Sequence, residues 1–212
     1  MKIKRLPVGA LWTNCYLVWD SQKHGFFVDP GGDAGELARF ACNNDITIDW
    51  VIITHGHIDH IAGLTTLRNL AENGVAIHEK DADCLTNSSK NLSDQFVEQT
   101  STFLAAEKTL LDGEILHVGN MSIEVIHTPG HTRGGICLYV TDGDESILLS
   151  GDTLFASSVG RTDLPGGDHN ELKKSLQRLC RLPDALVVYP GHGPETTIGE
   201  EKKNNQYFNG ID

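Results

Sequence analysis

The segment Thr54–His60 is the most constraining feature of this sequence, because it places three histidines and one aspartate within six residues. It reads Thr-His-Gly-His-Ile-Asp-His and directly follows the apolar run Trp50–Ile53, which is typical of a buried strand. Imidazole and carboxylate groups are common metal ligands. The first two histidines are two positions apart, so an extended backbone points both the same way. The aspartate and the last histidine are adjacent and diverge unless the chain turns, so this turn could serve two neighbouring metal ions.

Three more candidate ligands follow later strand-like runs, each just after a glycine. They are His131 after Ile123–His127, Asp152 after Ile147–Leu149 and His192 after Leu186–Tyr189. A glycine beside each lets the backbone turn sharply or approach an ion closely. Scattered core histidines would not share this placement at strand ends. We therefore interpret the side chains of both groups as parts of one metal site.

Length and composition indicate a globular chain with an acidic surface. The 212 residues predict one domain over residues 1–212 with a substantial core. The formal net charge of −12 argues against nucleic acid or an anionic membrane surface as a partner. No run approaches the ~20 apolar residues of a membrane span, and none near the N-terminus has signal-peptide length. Five scattered cysteines without a C-x-x-C pair fit reduced thiols, and the expected location is cytoplasmic.

Hydrophobic periodicity predicts strands and helices that alternate along the chain. Strands are expected over 15–19, 25–28, 48–54, 75–78, 122–127, 136–140, 146–149 and 186–189, and helices over 33–43, 61–71 and 169–180. The position of Asp168 suits an N-cap of the last helix. Residues 83–107 are polar and irregular, which indicates short helices or a long surface excursion. Two strand-rich halves with interleaved helices favour an α/β fold of two sheets covered by helices.

In their order along the chain, the motifs resemble the signature of the metallo-β-lactamase superfamily. Thr54–His60 is followed by Pro-Gly-His-Thr at 129–132, Ser-Gly-Asp-Thr at 150–153 and Pro-Gly-His-Gly at 190–193. The sequence is most similar to short, single-domain hydrolases of the glyoxalase II type, the hydroxyacylglutathione hydrolases. Further matching stretches are Asn14–Val18, Asp29–Gly31, Leu154–Phe155, Gly160–Asp163 and Thr197–Gly199. The resemblance implies a four-layer αβ/βα sandwich with metals at one edge, between the two sheets.

The resemblance also implies how the ligands divide between two divalent ions. His55, His57 and His131 would hold the first ion, Asp59, His60 and His192 would hold the second, and Asp152 would bridge them. Zinc is the expected metal, with iron or manganese as alternatives. Asp29 would orient a ligand histidine, which suits the usual carboxylate partner of a metal-bound imidazole. Arg161 is a candidate for substrate contact, although an ion pair with Asp163 fits it at least as well.

The expected activity is hydrolysis of a small thioester, such as S-lactoylglutathione. Two divalent ions about 3.5–4 Å apart can share a hydroxide at neutral pH, and this hydroxide would attack the thioester carbonyl. Asp59 and Asp152 would take part in catalysis by holding the ions that carry it. A leaving thiol with a pKa of about 8.5 needs little help from an acid. The expected partner is therefore a small acylthiol, and the oligomeric state is left open.

Other activities fit the same motifs. A mononuclear iron persulfide dioxygenase would use the equivalents of His55, His131 and Asp152, and Gly160–Asp163 resembles those enzymes as well. A lactonase would use the same hydroxide with a different pocket. Zinc β-lactamase activity is disfavoured, because many such enzymes have a cysteine near the position of Asp152 and this chain does not.

The sequence departs from the family pattern at three places. Arg133 follows Pro-Gly-His-Thr where many relatives have Pro or Gly, and Gln206 replaces a family proline. The chain ends about 20 residues after His192, so the helical C-terminal domain that helps two-domain glyoxalase II enzymes hold glutathione is expected to be absent. Among the remaining histidines, those at 24, 78, 117 and 169 are expected on the surface or in loops, and His127 in the core.

Overall fold

Two six-stranded β-sheets form the centre of the structure, a computed structural model that describes residues 1–96 and 102–208. The strands of the first sheet are β1 Lys2–Val8, β2 Thr13–Trp19, β3 His24–Val28, β4 Thr47–Ile53, β5 Val75–His78 and β6 Lys108–Leu110. The following strands are β7 Ile115–Val118, β8 Met121–His127, β9 Ile136–Asp142, β10 Glu145–Gly151, β11 Leu154–Phe155, β12 Ser158–Val159, β13 Val187–Pro190 and β14 Thr196–Thr197. Strands β11 and β12 form a separate small ribbon, and the others form the second sheet in the order β14-β13-β10-β9-β8-β7.

Short helices connect the strands and cover the outer faces of the sheets. They are α1 Gly35–Asn43, α2 Ile58–Ile61, α3 Leu64–Arg68, α4 Ser93–Phe96, α5 His169–Leu179 and α6 Ile198–Asn204, with a 3₁₀ turn at Ala82–Thr86. Asp168 caps α5 as predicted, because its side chain accepts hydrogen bonds from the backbone N–H groups of Asn170 and Glu171. In the described parts of the chain, no helix has the length and apolar character needed to cross a bilayer.

Three apolar clusters hold the layers together. The central cluster joins residues of both sheets, such as Tyr16 and Phe26 from the first and Ile123 and Leu138 from the second. A second cluster packs α1 and α3 on the first sheet, and a third packs α5 and α6 on the second. The order of layers is therefore helix, sheet, sheet, helix, and the predicted four-layer α/β sandwich is confirmed.

The carboxyl ends of several strands meet at one edge of this sandwich. Strands β3 to β6 run parallel in the first sheet, and β10 and β13 run parallel in the second. Main-chain hydrogen bonds join the sheets at this edge, where Ile136 N donates to Thr54 O at 2.9 Å and Asn14 N donates to Gly191 O at 2.7 Å. The loops that leave the strands here are therefore fixed relative to one another.

The structure differs from the predictions at one helix and in several short or edge elements that were not predicted: β1, β6, β7, β11, β12, β14 and α6. The helix predicted over 61–71 is broken into α2 and α3, because Gly63 packs against the turn after β3: its N–H donates to Pro30 O, and a Cβ there would lie 1.8 Å from Gly32 O. Strand β1 is an edge strand with an exposed and partly charged face, so its hydrophobic alternation is weak. Within the irregular stretch predicted over 83–107, residues 97–101 lie outside the described residues.

Candidate metal centre

The structure brings all seven predicted ligand residues together at the edge where strands β4, β10 and β13 end. Three overlapping groups have ligand atoms within 4.8 Å of one another: His55, His57 and His131; His55, His60 and Asp152; and Asp59, His60 and His192. Most of these side chains are buried, with His60 completely so and His131 at 5% exposure. The residues that the sequence predicted as metal ligands therefore lie close together at one edge of the sandwich.

In the first group, three imidazole nitrogens converge on a common point. His57 Nδ1 lies 3.1 Å from His55 Nε2 and 3.0 Å from His131 Nε2. A single ring nitrogen has one proton or one lone pair, so it cannot make two good hydrogen bonds at once. Burial lowers the pKa of His57 to about 3, with a contribution from His131, and lowers the pKa of His55 well below its usual value. A histidine must be neutral to bind a metal ion, so these lowered pKa values and converging nitrogens suit a transition-metal ligand group.

In the second group, carboxylate oxygens face imidazole nitrogens. Asp59 Oδ2 lies 3.3 Å from His192 Nε2 and 3.6 Å from His60 Nε2. Burial alone would lower the pKa values of both histidines, but neighbouring carboxylates, led by Asp152 for His60 and by Asp59 for His192, outweigh it and raise them. This half of the cluster therefore has an excess of negative charge that attracts a cation.

Asp152 lies between the two groups. Its Oδ1 is 3.3 Å from His60 Nε2, while its Oδ2 is 3.6 Å from both His131 Nε2 and His192 Nε2. Opposing the effect of burial, the surrounding histidines lower the pKa of Asp152, which keeps the carboxylate ionised. The carboxylate thus faces members of both groups, with Oδ2 equally close to one histidine of each, and a carboxylate in this position is a donor that two ions can share.

Two buried polar atoms of this cluster, His60 Nε2 and Asp152 Oδ1, form no hydrogen bond of normal geometry with the described residues, although they lie 3.3 Å apart. Leaving such atoms without a partner costs on the order of 1–3 kcal/mol each. Coordination of a cation would remove this cost, and the donor set of imidazoles and carboxylates suits zinc, iron or manganese. The residues present therefore fit a metal centre.

The ring orientation of three of the histidines is fixed by a hydrogen bond from Nδ1. The acceptors are Asp29 Oδ2 for His60 at 2.9 Å, Arg161 O for His131 at 2.8 Å and Leu11 O for His192 at 3.1 Å. In the neutral ring each bond holds the proton at Nδ1, so Nε2 is directed into the cluster with its lone pair available to a cation. Asp29 thus lies where the sequence predicted it. The roles of the Leu11 and Arg161 carbonyls had no sequence signal, because any residue type supplies a main-chain oxygen.

Asp81 connects the loops of the first histidine group and was not predicted. Its buried carboxylate accepts hydrogen bonds from Gly56 N at 3.0 Å and Gly134 N at 2.7 Å. Burial raises the pKa of Asp81, and the Thr132 hydroxyl and the two main-chain N–H groups oppose the rise. Asp81 comes three residues after the end of β5, at the same edge as the ligands, and this placement was the signal that could have identified it.

Glycines allow the ligand loops to approach closely. A Cβ on Gly191 would lie 2.2 Å from Asp152 Oδ1, and a Cβ on Gly56 would lie 2.3 Å from Cys84 Cβ. The glycine beside Asp152, Gly151, has a φ of +48°, which an L side chain rarely adopts. The glycines that follow the strands are therefore needed for the geometry of the cluster, as their position in the motifs indicated.

An apolar cleft of about 300 Å³ opens over the cluster. Beside ligand residues, it is lined by Leu11, Ile58, Leu92, Leu164 and Arg161. The guanidinium of Arg161 forms a bidentate ion pair with Asp163, with both N–O distances at 2.7 Å. The predicted ion pair is therefore present, and the same arginine borders the cleft.

The remaining histidines lie outside the cluster. His117 and His169 are exposed and His24 is half-buried in β3, where it contacts Asp49. The expectation for His78 was wrong, because it lies in β5 and is 2% exposed. Its ring stacks on half-buried His127 with 4.1 Å between centroids, an arrangement between two sheets that periodicity does not predict.

Comparison with known proteins agrees with this geometry. The family model for the metallo-beta-lactamase superfamily matches residues 8–192. Hydroxyacylglutathione hydrolase GloC of Haemophilus influenzae is 34% identical, over 99% of this chain and 99% of that protein. The probable metallo-hydrolase YqgX of Bacillus subtilis is also 34% identical, over 100% and 99% of the two chains.

Several solved structures have the same fold. The B3 metallo-beta-lactamase BLEG-1 superposes with a TM-score of 0.92 and 35% identity, covering 99% of this chain and 100% of that one. The protein TTHA1623, solved in a di-iron-bound form, has a TM-score of 0.83 and 30% identity over 96% and 99% of the chains. ETHE1 of Myxococcus xanthus has a TM-score of 0.78 and 29% identity over 97% and 84%. From its family match, its relatives and its histidine–aspartate cluster, this chain belongs to the metallo-β-lactamase superfamily.

Proposed function

We propose that this protein is a hydrolase of small thioesters that works with two divalent metal ions. The observation that carries the proposal is the position of Asp152 between two groups of buried ligands, with one oxygen near His60 and the other near His131 and His192. His55, His57 and His131 would hold one ion and Asp59, His60 and His192 the other, with Asp152 shared. The metal is proposed as zinc, with iron and manganese as alternatives.

The residues of the chain set the geometry and protonation of this site. Bound divalent ions supply a water molecule of lowered pKa as nucleophile and a Lewis acid for the carbonyl. Asp29 holds His60 in the tautomer that presents Nε2, and the Arg161 carbonyl does the same for His131. Leu11, Ile58, Leu92 and Leu164 give the cleft an apolar wall beside the ligand residues, and a bound substrate that covers it would strengthen electrostatic interactions there.

The cleft favours a leaving group that departs without a general acid. Among the described residues that line it, every carboxylate and imidazole belongs to the proposed ligand set. A thiol has a pKa of about 8.5, so a thiolate leaves at neutral pH without prior protonation, whereas an alkoxide or amine needs a proton. The name of the relative GloC, a hydroxyacylglutathione hydrolase, supports a thioester substrate such as S-lactoylglutathione.

Two other activities are second candidates. The similarity to BLEG-1, a B3 metallo-beta-lactamase, means that the lack of a cysteine beside Asp152 is not sufficient reason to set β-lactam hydrolysis aside. The persulfide dioxygenase alternative rests on the resemblance of Gly160–Asp163. Asp59, His60 and His192 offer a second set of ligand atoms within 4.8 Å of one another, which supports the two-metal hydrolase.

A substrate panel on metal-loaded protein tests the proposal. The zinc, iron and manganese forms would each be assayed with S-lactoylglutathione, a neutral acyl thioester, a lactone and nitrocefin. Oxygen uptake with glutathione persulfide would be followed separately with an oxygen electrode. We expect thioester cleavage with the highest kcat/KM and no oxygen uptake. Asp152→Ala should abolish the activity, and a fully active Asp152→Ala protein would overturn the mechanism. Oxygen uptake, or faster cleavage of nitrocefin than of any thioester, would replace the proposal with one of the other candidates.

A further inference from the structure

A second cavity, of about 360 Å³, adjoins the ligand cluster at His57. Its wall contains three basic side chains, Lys80, Lys90 and Arg133. The apolar cleft also includes His57 in its lining, so both spaces border the same ligand. A substrate that extends from the cluster can therefore reach this cavity.

Two of these basic groups are without an ionic partner. Lys90 pairs with Asp83, and the other acid in the wall, Asp81, is buried and engaged by two main-chain N–H groups. Over residues 1–96 and 102–208, neither Lys80 Nζ nor the Arg133 guanidinium forms an ion pair. Two cations without an ion pair on the wall of one cavity, beside the candidate site, suit a ligand of opposite charge.

The acids of the adjoining groove do not neutralise these cations. Lys80 and Arg133 also border this groove, together with Asp168 and Glu171. The Asp168 carboxylate caps α5 through two main-chain N–H groups, and Glu171 pairs with Lys174 at 2.7 Å. The acidic groups that face the two cations are therefore already committed to other partners.

Thr132 provides an independent observation. Its side chain is 5% exposed and lines the cavity, and its Oγ1 lies against the Asp81 carboxylate without forming a hydrogen bond of normal geometry. A ligand acceptor placed between Lys80 and Arg133 would offer this hydroxyl a better-aligned partner.

The two cations project from loops that are held in place. The main-chain N–H of Lys80 donates to His78 Nδ1, and His127 Nε2 donates to the carbonyl of Arg133 at 2.9 Å. Arg133 is two residues from His131 in the sequence, so its loop position is linked to the metal cluster. The backbone is preorganised, while both side chains are exposed and free to close on a ligand.

We propose that Lys80, Arg133 and Thr132 form a subsite for a carboxylate of the substrate, next to the reacting carbonyl. The inference rests on the proposed thioester hydrolase function and adds the substrate class, an anionic thioester. The planar fork of Arg133 matches a carboxylate with two parallel hydrogen bonds, and Lys80 adds a second charge. The carboxylate could stand on the thiol arm or on the acyl arm, and the test distinguishes these two sources.

Three thioesters and one double variant test the subsite. The substrates are S-lactoylglutathione with an anionic thiol arm, succinyl-N-acetylcysteamine with an anionic acyl arm, and acetyl-N-acetylcysteamine with no charge. For Lys80→Gln/Arg133→Gln, we expect kcat/KM to fall at least about tenfold for one anionic substrate, mainly through KM. Activity on the uncharged thioester should stay within about twofold. The control Lys2→Gln/Arg39→Gln removes the same charge from exposed positions in β1 and α1 and should leave all three substrates unaffected.

A binding experiment separates failure of the subsite from failure of the proposed function. S-methylglutathione and succinate would be titrated separately into the zinc-loaded protein, and the NMR chemical shifts of the backbone amides would be followed. We expect saturable shifts at Lys80, Thr132 and Arg133 that the double variant loses. If the protein cleaves thioesters and the double variant reduces all three substrates equally, or none, the subsite is wrong. If it cleaves no thioester, the proposed function is wrong. In that case saturable shifts that the double variant loses would still support the subsite, and their absence would contradict it.

Discussion

Asp29 and His60 form a buried pair in which His60 Nδ1 donates to Asp29 Oδ2 at 2.9 Å. The same carboxylate accepts from Thr54 N at 2.8 Å and from Thr54 Oγ1 at 2.6 Å. Asp29 therefore connects the end of β4 to a ligand histidine, in a backbone conformation with a φ of +51°. This relationship fixes the tautomer of His60 and leaves its Nε2 for the second proposed ion.

Asp29→Asn should weaken binding of the second ion by about 10- to 100-fold. The amide nitrogen of Asn would face one of the donors that the carboxylate now satisfies, so His60 loses its fixed orientation. The measurement is a competition titration of zinc against a chelator. Asp20→Asn is the matched control, since Asp20 is also buried and accepts main-chain hydrogen bonds from Gln22 and His24, but away from the cluster. Equal metal affinities in the two variants would contradict the role of Asp29.

Gly191→Ala should displace the shared carboxylate. The new methyl group would lie 2.2 Å from Asp152 Oδ1 and 2.8 Å from His60 Cε1, so at least one of these side chains must move. We expect loss of one bound ion per chain and a fall in kcat of at least about a hundredfold. Gly193→Ala is the control, because its methyl group would meet nothing within 4 Å and costs only about 1 kcal/mol of left-handed strain. Full metal content in Gly191→Ala would refute the close packing.

Asp81→Ala should lower the free energy of unfolding by about 2–3 kcal/mol, because it leaves the N–H groups of Gly56 and Gly134 without their buried acceptor. Urea unfolding of chelator-treated protein measures this without the contribution of bound metal. Asp83→Ala removes an exposed carboxylate paired with Lys90 and should cost no more than about 0.5 kcal/mol. If the two variants are equally stable, Asp81 does not tie the loops together.

His78 should make stability depend on pH below neutrality. Burial, with a contribution from His127, lowers the pKa of His78 to about 4, whereas the unfolded chain has the usual value near 6.5. The unfolded state therefore takes up the proton first, so stability is full above about pH 6.5 and falls as the pH drops toward 4. The loss from this group should be about 1–2 kcal/mol, after allowance for solvent screening. The measurement is the free energy of unfolding in urea, at pH 7 and pH 5, for the wild type and for His78→Gln. The difference between the two proteins cancels the contribution of bound metal. If both lose the same free energy between pH 7 and pH 5, His78 is not the cause of the pH dependence.

The ligand side chains could be predicted because their types and strand-end positions are local properties of the sequence. His55 and His57 follow a continuous apolar run, and the glycines beside Asp152 and His192 permit the close approach that the structure contains. The sandwich followed from the alternation of strands and helices and from the family resemblance. Assignment of each ligand to an ion remains a prediction.

Features that depend on tertiary contacts could not be predicted. The break between α2 and α3 arises from contact of Gly63 with a turn about thirty residues earlier. Asp81 and the stacked His78 and His127 rings owe their roles to packing between segments distant in sequence. Main-chain acceptors such as the Arg161 carbonyl cannot be predicted from residue types, because every residue has a carbonyl group.

The number of metal ions per chain, measured by native mass spectrometry, tests the two-metal account most directly. We expect two divalent ions in the wild type and one in His192→Ala, because this variant removes a ligand from the second group while His55, His57 and His131 remain. A single ion in the wild type, unchanged in His192→Ala, would contradict the account and favour the mononuclear alternative.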